Sequence, residues 1–271
     1  MARFENNFWF KQVNFKSDID LSYTEFLNGV DFSSSAFLGS VKLDNTKFYK
    51  DSIFVGATFS NLVNFKYTTF KENVSFRDTK FDQGLNLARV NINNSAILDF
   101  HDATINSNKA EKQVSSKDKQ ETCRILKHES LKKNDTINAI NLHKKECEHH
   151  YQSLNWCSKD FFNKLILGFE KMVSSYGTNA LKSLLVFIVF NILTFVTYIA
   201  VDTNFAINLS FSTWNGLGHM LEDVFKTLVP TIISGEKSVY KESWVQVIHF
   251  VINASLIYEI IKSFRKYSRK L

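Results

Sequence analysis

Large apolar residues recur in the first hundred residues with a period that fits neither a helix nor a strand. Between Phe54 and Phe81, phenylalanine returns after five, then six, then five residues. An α-helix repeats its apolar face about every 3.6 residues and a strand every two. Written with a period of eleven, the chain shows two registers, and none of their nineteen positions holds a polar residue. The first register is Phe4, Phe15, Phe26, Phe37, Phe48, Phe59, Phe70, Phe81, Ile92 and Ala103, and the second is Phe10, Leu21, Phe32, Leu43, Phe54, Phe65, Phe76, Leu87 and Leu98.

A smaller residue stands two positions before each large one. These are Thr24, Ser35, Thr46, Ala57, Thr68 and Thr79 in the first register, and Val30, Val41, Ser52, Val63 and Val74 in the second. A unit of five or six residues cannot bury its phenylalanine alone, so the units are predicted to stack into a solenoid with both residues inward. Two repeats predict a coil of about 22 residues, and a spacing of roughly 4.8 Å between coils predicts a rod about 20 Å tall.

The units "GATFSN", "YTTFKE" and "DTKFDQ" resemble those of the pentapeptide-repeat family, which have a large central residue and a small residue two positions earlier. This resemblance implies a right-handed, quadrilateral parallel β-helix over residues 1–105. The chain departs from the simplest members of the family because every second unit contains one extra residue. We expect that residue to bulge at a corner.

The first coil is predicted to be a contact edge. Phe4 already obeys the register, so no preceding sequence is left to cap the solenoid. Because an uncovered edge pairs readily with another chain, we expect a homo-oligomer through that end.

Residues 106–180 are predicted to be a charged helical connector. The eleven-residue register ends after residue 105, and apolar residues then recur at helical intervals on either side of "KKNDT". Two amphipathic helices are expected, with "NDT" as the turn and N-cap. His143, Cys147 and His150 share one face of the second helix and are residue types that bind zinc. Because no fourth ligand or second ligand pair is evident, we favour a polar helix face and predict no metal site.

Two segments of residues 181–271 are predicted to cross a membrane. Residues 183–201 contain no charge over about 28 Å of helix. Residues 244–261 form the second predicted span, with Trp244 and Tyr258 suited to the interfaces and Glu259 positioned to pair with Lys262.

The distribution of charge predicts the orientation of these spans. Lys164, Lys171 and Lys182 precede the first span, and the tail 262–271 is basic, whereas the loop 202–243 holds three lysines against five acids. The positive-inside rule then places both termini in the cytoplasm. The absence of a signal peptide and of C-x-x-C spacing among the three cysteines agrees with a reduced, cytoplasmic solenoid.

Polar residues in the membrane segments are the candidate functional residues. Gln246, His249 and Asn253 form one stripe on the second span, and Asn191 is available on the first. In lipid such groups face other helices or water, so they form either a packing interface or the lining of a pore.

The loop between the spans resembles the pore region of a two-helix potassium channel. Its filter-like segment is Thr231, Ile232, Ile233, Ser234 and Gly235. A carbonyl-lined filter needs glycine where Ile233 stands, because β-branched residues avoid that backbone conformation. Any such filter is therefore predicted to be degenerate and not selective for potassium.

The charge distribution and motifs exclude several functions. Residues 1–105 carry 11 basic and 12 acidic residues, which argues against a nucleic-acid partner for the solenoid. The sequence contains no G-x-S-x-G, glycine-rich phosphate loop or H-E-x-x-H motif, so no enzyme activity and no cofactor are predicted.

Over most of its length the chain resembles bacterial pentapeptide-repeat membrane proteins, which implies a multi-pass protein of the plasma (inner) membrane. We expect a cytoplasmic scaffold with an unidentified protein partner, anchored in the lipid bilayer. The alternative is an oligomeric pore regulated by the solenoid.

Overall fold

The computed structural model describes residues 2–106, 114–157, 159–201 and 243–268. They divide into two compact units, Met1–Phe161 and Phe162–Leu271. Described strands of the first unit are two residues long: β1 Arg3–Phe4, β2 Phe8–Trp9, β3 Asn14–Phe15, β4 Ile19–Asp20, β5 Glu25–Phe26, β6 Val30–Asp31, β7 Ala36–Phe37, β8 Val41–Lys42, β9 Lys47–Phe48, β10 Ser52–Ile53, β11 Thr58–Phe59, β12 Val63–Asn64, β13 Thr69–Phe70, β14 Val74–Ser75, β15 Lys80–Phe81, β16 Leu85–Asn86, β17 Asn91–Ile92, β18 Leu98–Asp99 and β19 Thr104–Ile105.

The strands form four parallel sheets, one on each side of a solenoid of about five turns. The sheet orders are β1-β5-β9-β13-β17, β2-β6-β10-β14-β18, β3-β7-β11-β15-β19 and β4-β8-β12-β16. Arg3 pairs with Glu25 and Phe48 with Phe70, so equivalent residues lie 22 positions apart. The predicted coil length and the parallel, four-sided architecture are confirmed.

Stacked phenylalanines fill the interior. Along one wall Phe26 lies 5.1 Å from Phe48 between ring centroids, and along another Phe37 lies 4.5 Å from Phe59, with each pair within 8° of parallel. Burying such a side chain stabilises the fold by about 1.5–3 kcal/mol. The stacking therefore requires each coil to place its large residue directly over the one before.

The smaller inward residues satisfy the backbone of the preceding coil. The Thr68 hydroxyl donates to the Leu43 carbonyl at 2.6 Å, and the Thr79 hydroxyl donates to the Phe54 carbonyl at 2.7 Å. Both threonines are fully buried. A buried hydroxyl is costly unless it is hydrogen-bonded, so these contacts allow threonine in an apolar interior.

The extra residue of every second unit is accommodated at a corner. Residues with positive φ recur every eleven positions: Gln12, Tyr23, Ser34, Asn45, Gly56, Tyr67, Asp78 and Arg89, with φ between 56° and 67°. The corners are turns in which, for example, the Ser35 amide bonds the Phe32 carbonyl. A left-handed residue at the third position is typical of a type II turn.

The last coil departs from the predicted register at two positions. Val74 pairs with Leu98 and Phe81 with Ile105, a separation of 24 residues. Phe100 stacks on Phe76 at 4.9 Å and takes the place predicted for Leu98, while Ile105 takes the place predicted for Ala103. The prediction was wrong there because two additional residues lie between Ile92 and Leu98.

Two helices complete the first unit, namely α1 Ser116–Lys132 and α2 Thr136–Ser153. The side chains of Ser115 and Asp135 cap their N-termini, as preferred at this position. The Thr122 hydroxyl accepts a bond from the Leu87 amide at 2.9 Å, and Leu126 joins the solenoid core. Helix α1 thus packs against the last coils.

The second unit contains α3 Phe161–Ser174, α4 Ala180–Val201 and α5 Ser243–Ser268. Among the described residues, one helical segment, Val247–Arg265, is long and apolar enough to span a membrane. The apolar part of α4, Ala180–Thr194, is shorter. The predicted pore-like segment 231–235 and most of the loop 202–243 lie outside the described residues.

The close approach of coils at Gly39 gives a stability prediction. A Cβ at Gly39 would lie 2.4 Å from the Ser17 carbonyl carbon, whereas one at Gly29 would lie 3.6 Å from its nearest neighbour, the Asn7 side chain. Gly39→Ala is expected to destabilise the solenoid by about 1–3 kcal/mol, because backbone atoms cannot move aside easily.

Thermal unfolding of the full-length protein in detergent, followed by circular dichroism, measures this effect. Gly29→Ala serves as the control, and its free energy of unfolding should lie within about 0.5 kcal/mol of the wild-type value. Equal transitions for the two variants would contradict the predicted backbone contact.

Candidate functional site

Polar side chains are buried between the helices of the second unit. The described polar side chains that are less than a tenth exposed include Ser174, Ser183, Asn191, His249, Asn253, Glu259 and Ser263. These residues come from α3, α4 and α5 and lie on the sides of the helices that face one another. The predicted candidates Asn191, His249 and Asn253 are among them, whereas the side chain of Gln246 lies outside the described part of the chain.

Large apolar side chains occupy the outer surface of the same helices. They are between 39% and 67% exposed: Leu181, Leu184, Leu185, Ile188, Val189, Ile192 and Leu193 on α4, and Val247, Ile248, Val251, Tyr258, Ile261 and Phe264 on α5. A folded domain in water ordinarily has the opposite arrangement, with large apolar side chains inside. The polarity of this helix pair is therefore inverted.

A reciprocal amide pair joins α4 to α5. The Asn191 amide donates to Asn253 Oδ1 at 3.0 Å, and the Asn253 amide donates to Asn191 Oδ1 at 3.2 Å. His249 Nε2 lies 3.1 Å from Asn253 Nδ2, and the His249 ring stacks on Phe190. The structure thus joins three of the four candidate polar residues in one contact.

A second polar cluster joins α3 to α5. The Ser174 hydroxyl donates to Glu259 at 2.5 Å, and the Lys262 ammonium lies 2.7 Å from Glu170 and 3.3 Å from Glu259. The predicted pairing of Glu259 with Lys262 is confirmed. Sequence reasoning missed Glu170 and Ser174, because they lie 85 or more residues from their partners.

The turn between α3 and α4 supports this cluster. Ser175, Tyr176 and Gly177 all have positive φ, which brings the Gly177 amide to 2.6 Å from the Ser174 hydroxyl oxygen. A Cβ at Gly177 would lie 3.1 Å from the Lys262 side chain. Consecutive left-handed residues are uncommon, and glycine adopts this conformation without steric cost.

The connector helices hold a buried ion pair. Glu146 of α2 accepts bonds from Arg124 at 2.9 Å and from Lys127 at 2.6 Å. Burial raises the pKa of Glu146, but the hydrogen bonds and charges of Lys127 and Arg124 outweigh it, so the net pKa is lowered. Glu146 is therefore ionised at neutral pH and fixes α2 against α1.

Two of the three residues of zinc-binding type that share one face of α2 are in contact. Cys147 Sγ lies 3.6 Å from His143 Nε2. No group of three histidine, cysteine or acidic residues that could hold a metal ion occurs in the described part of the chain. Burial raises the pKa of the Cys123 thiol to about 11, which keeps it protonated.

One corner of the solenoid carries exposed aromatic and cationic side chains. We call this column of Tyr23, Asn45, Tyr67 and Arg89 the tyrosine ridge. The Arg89 guanidinium lies 5.1 Å from the Tyr67 ring centroid and donates to its hydroxyl. Tyr23 and Tyr67 have φ of 59° and 61°, a conformation that bulky residues rarely adopt. Tyrosine and arginine are enriched at protein-binding surfaces, so the ridge is a candidate contact surface.

Comparison with known proteins supports the repeat assignment. Residues 43–91 match the family model described as Pentapeptide repeats (9 copies). No curated protein and no solved structure matches the chain. The matched residues lie within the four-sided solenoid, so the pentapeptide repeats of residues 43–91 form its central coils.

The amide pair gives a prediction for the stability of the hairpin. Asn191→Leu and Asn253→Leu should each destabilise it by about 0.6–1.7 kcal/mol, because each leaves one buried amide without its partner. The double variant should lose less than the sum of the two single variants, since no unpaired amide of this pair remains.

Denaturant unfolding of the full-length protein in micelles, followed at the helix band, measures the three variants. Ser255→Ala is the control, because its hydroxyl bonds the carbonyl of Val251 on its own helix. If the stability lost by the double variant equals the sum of the two single losses within about 0.3–0.5 kcal/mol, the two amides are not coupled.

Proposed function

We propose that the protein is a membrane-anchored scaffold, in which the solenoid offers an interaction surface and the α4–α5 hairpin holds it to a lipid bilayer. The observation that carries this proposal is the inverted polarity of the hairpin. The sequence has no G-x-S-x-G, glycine-rich phosphate loop or H-E-x-x-H motif, and we propose that the protein is not an enzyme.

Solvent preference explains why the inverted polarity favours a bilayer. In water, a large apolar side chain that stays exposed lacks the stabilisation of about 1.5–3 kcal/mol that its burial would give. In lipid, the same side chains contact acyl chains, while polar groups such as the Asn191–Asn253 pair must find partners inside the protein. The hairpin has both properties.

We propose a multi-pass topology with α4 and α5 both crossing the bilayer. Lys164 and Lys171 of α3, Lys182 at the start of α4 and the basic residues of the tail 262–271 favour cytoplasmic termini. The solenoid would then face the cytoplasm and meet an unidentified protein partner there, with the tyrosine ridge as the favoured surface. Self-association through the first coil remains part of this proposal.

The alternative is an oligomeric pore gated by the solenoid. A pore requires Gln246, His249 and Asn253 to line a wet axis. Asn253 is fully buried and bonds Asn191 of the same chain, which favours the anchor. The degenerate filter residues 231–235 are the main support for the alternative.

Cysteine labelling tests the membrane anchor directly. In full-length protein lacking Cys123, Cys147 and Cys157 and reconstituted into liposomes, Leu185→Cys and Val251→Cys should resist a water-borne maleimide. Their side chains are 53% and 55% exposed within the chain, so lipid is expected to be what protects them.

Leu38→Cys is the matched control for labelling. Its side chain is 50% exposed on the solenoid, so it should react readily wherever that surface meets water. Reaction at positions 185 and 251 as rapid as at position 38 would exclude the anchor.

Electrical recording separates the anchor from the pore. The mass of the full-length protein is first determined by light scattering. The same protein is then expected to pass no current in planar bilayers. His249→Leu should then alter only stability or assembly, because the ring packs against Phe190 and Asn253. A current in the wild type that changes in His249→Leu would favour the pore.

A further inference from the structure

Helix α3 also exposes several of its large apolar side chains, although at 14 residues it is shorter than a membrane span. Leu165, Ile166 and Met172 are 49%, 54% and 62% exposed. At 100° per residue these side chains share one side of the helix with Phe162, while Asn163, Glu170 and Ser174 lie on the other. The helix therefore presents an apolar surface on its outer side.

The polar side of α3 is fixed to α5. Glu170 bonds Lys262, and Ser174 bonds Glu259. Rotating α3 to turn its apolar side inward would break both contacts and leave the carboxylate of Glu259 with fewer partners in a buried position. The exposure of the apolar side is thus imposed by the polar cluster.

We propose that α3 lies in the interface between water and lipid, with its apolar side in contact with the bilayer. This inference rests on the membrane placement proposed above. The helix has 14 residues, or about 21 Å, which is too short to cross a bilayer. Amphipathic helices of this kind bury their apolar face about 5–10 Å into the boundary between headgroups and acyl chains.

The contacts with α5 indicate that α3 lies at the level of the headgroups. Ser174 bonds Glu259, which immediately follows the exposed Tyr258 and lies one turn before Lys262. Tyrosine and lysine at the end of an apolar helix are typical of a membrane interface. Exposed apolar side chains begin again at Leu181 on α4, seven residues after α3 ends, which favours lipid as a partner of both helices.

Spin labelling in vesicles tests this placement. Single cysteines at Leu165, Met172, Asn163 and Val251 are labelled with a nitroxide in the otherwise cysteine-free, full-length protein, reconstituted in vesicles of phosphatidylcholine and phosphatidylglycerol. All four positions are exposed, so the labels require no repacking. Collision rates with oxygen, which favours lipid, and with a water-soluble nickel complex then report the depth of each label.

Labels at 165 and 172 are expected to favour oxygen and to lie about 5–10 Å below the headgroup boundary. The label at 163, on the opposite side of the same helix, should favour the nickel complex, and the label at 251 should be deepest. This pattern supports the interfacial placement.

Three outcomes would overturn the inference. If 165 and 172 collide with nickel as often as 163 while 251 stays in lipid, α3 is not interfacial but the anchor stands. If 251 also meets nickel, the membrane placement itself fails. If 165 and 172 are shielded from both agents, a protein surface such as a second copy covers α3 instead of lipid.

Discussion

The requirement that each coil lie in register on the previous one governs the first unit. With 22 residues per coil before the last one, equivalent inward residues stack on one another, as Phe26 does on Phe48, and the strands of successive coils pair in register. Every second corner must then hold one more residue than the others. The residues with positive φ lie at these corners and therefore recur at intervals of eleven. The same register forces the backbone of Gly39 against Ser17, where no Cβ fits.

The second unit obeys the opposite rule of polarity. Its helices are joined by hydrogen bonds between Asn191 and Asn253 and between Ser174 and Glu259. Large apolar side chains such as Leu185 and Val251 lie outside, although Leu256 is buried. In lipid, apolar surface provides no drive for helices to associate, so polar contacts and close packing must hold them together. Under the proposed membrane placement, this change of rule separates the solenoid from its anchor.

Much of the solenoid could be predicted from the sequence because its contacts repeat at fixed separations. The inward positions from Thr24 to Phe81 were predicted correctly by periodicity alone. The prediction for Leu98 was wrong because two extra residues shift the repeat by two positions. Apolar residues still occur at the predicted positions, so the pattern in the sequence seemed to continue. The Ser174–Glu259 contact could not be predicted, because residues 85 positions apart in a non-repeating segment have no periodic relation. The polar residues of the hairpin were identified individually, but their pairing depends on how α4 and α5 pack.

The corners of the solenoid connect its architecture to its proposed role as an interaction surface. The backbone and interior positions are constrained by coil stacking, so recognition must depend on outward side chains. At left-handed corners glycine or asparagine would be the least strained residues, yet Tyr23 and Tyr67 occupy two of them. The Arg89 guanidinium lies over the Tyr67 ring and donates to its hydroxyl. Because this contact restricts the ring before binding, less side-chain entropy would be lost when a partner binds there.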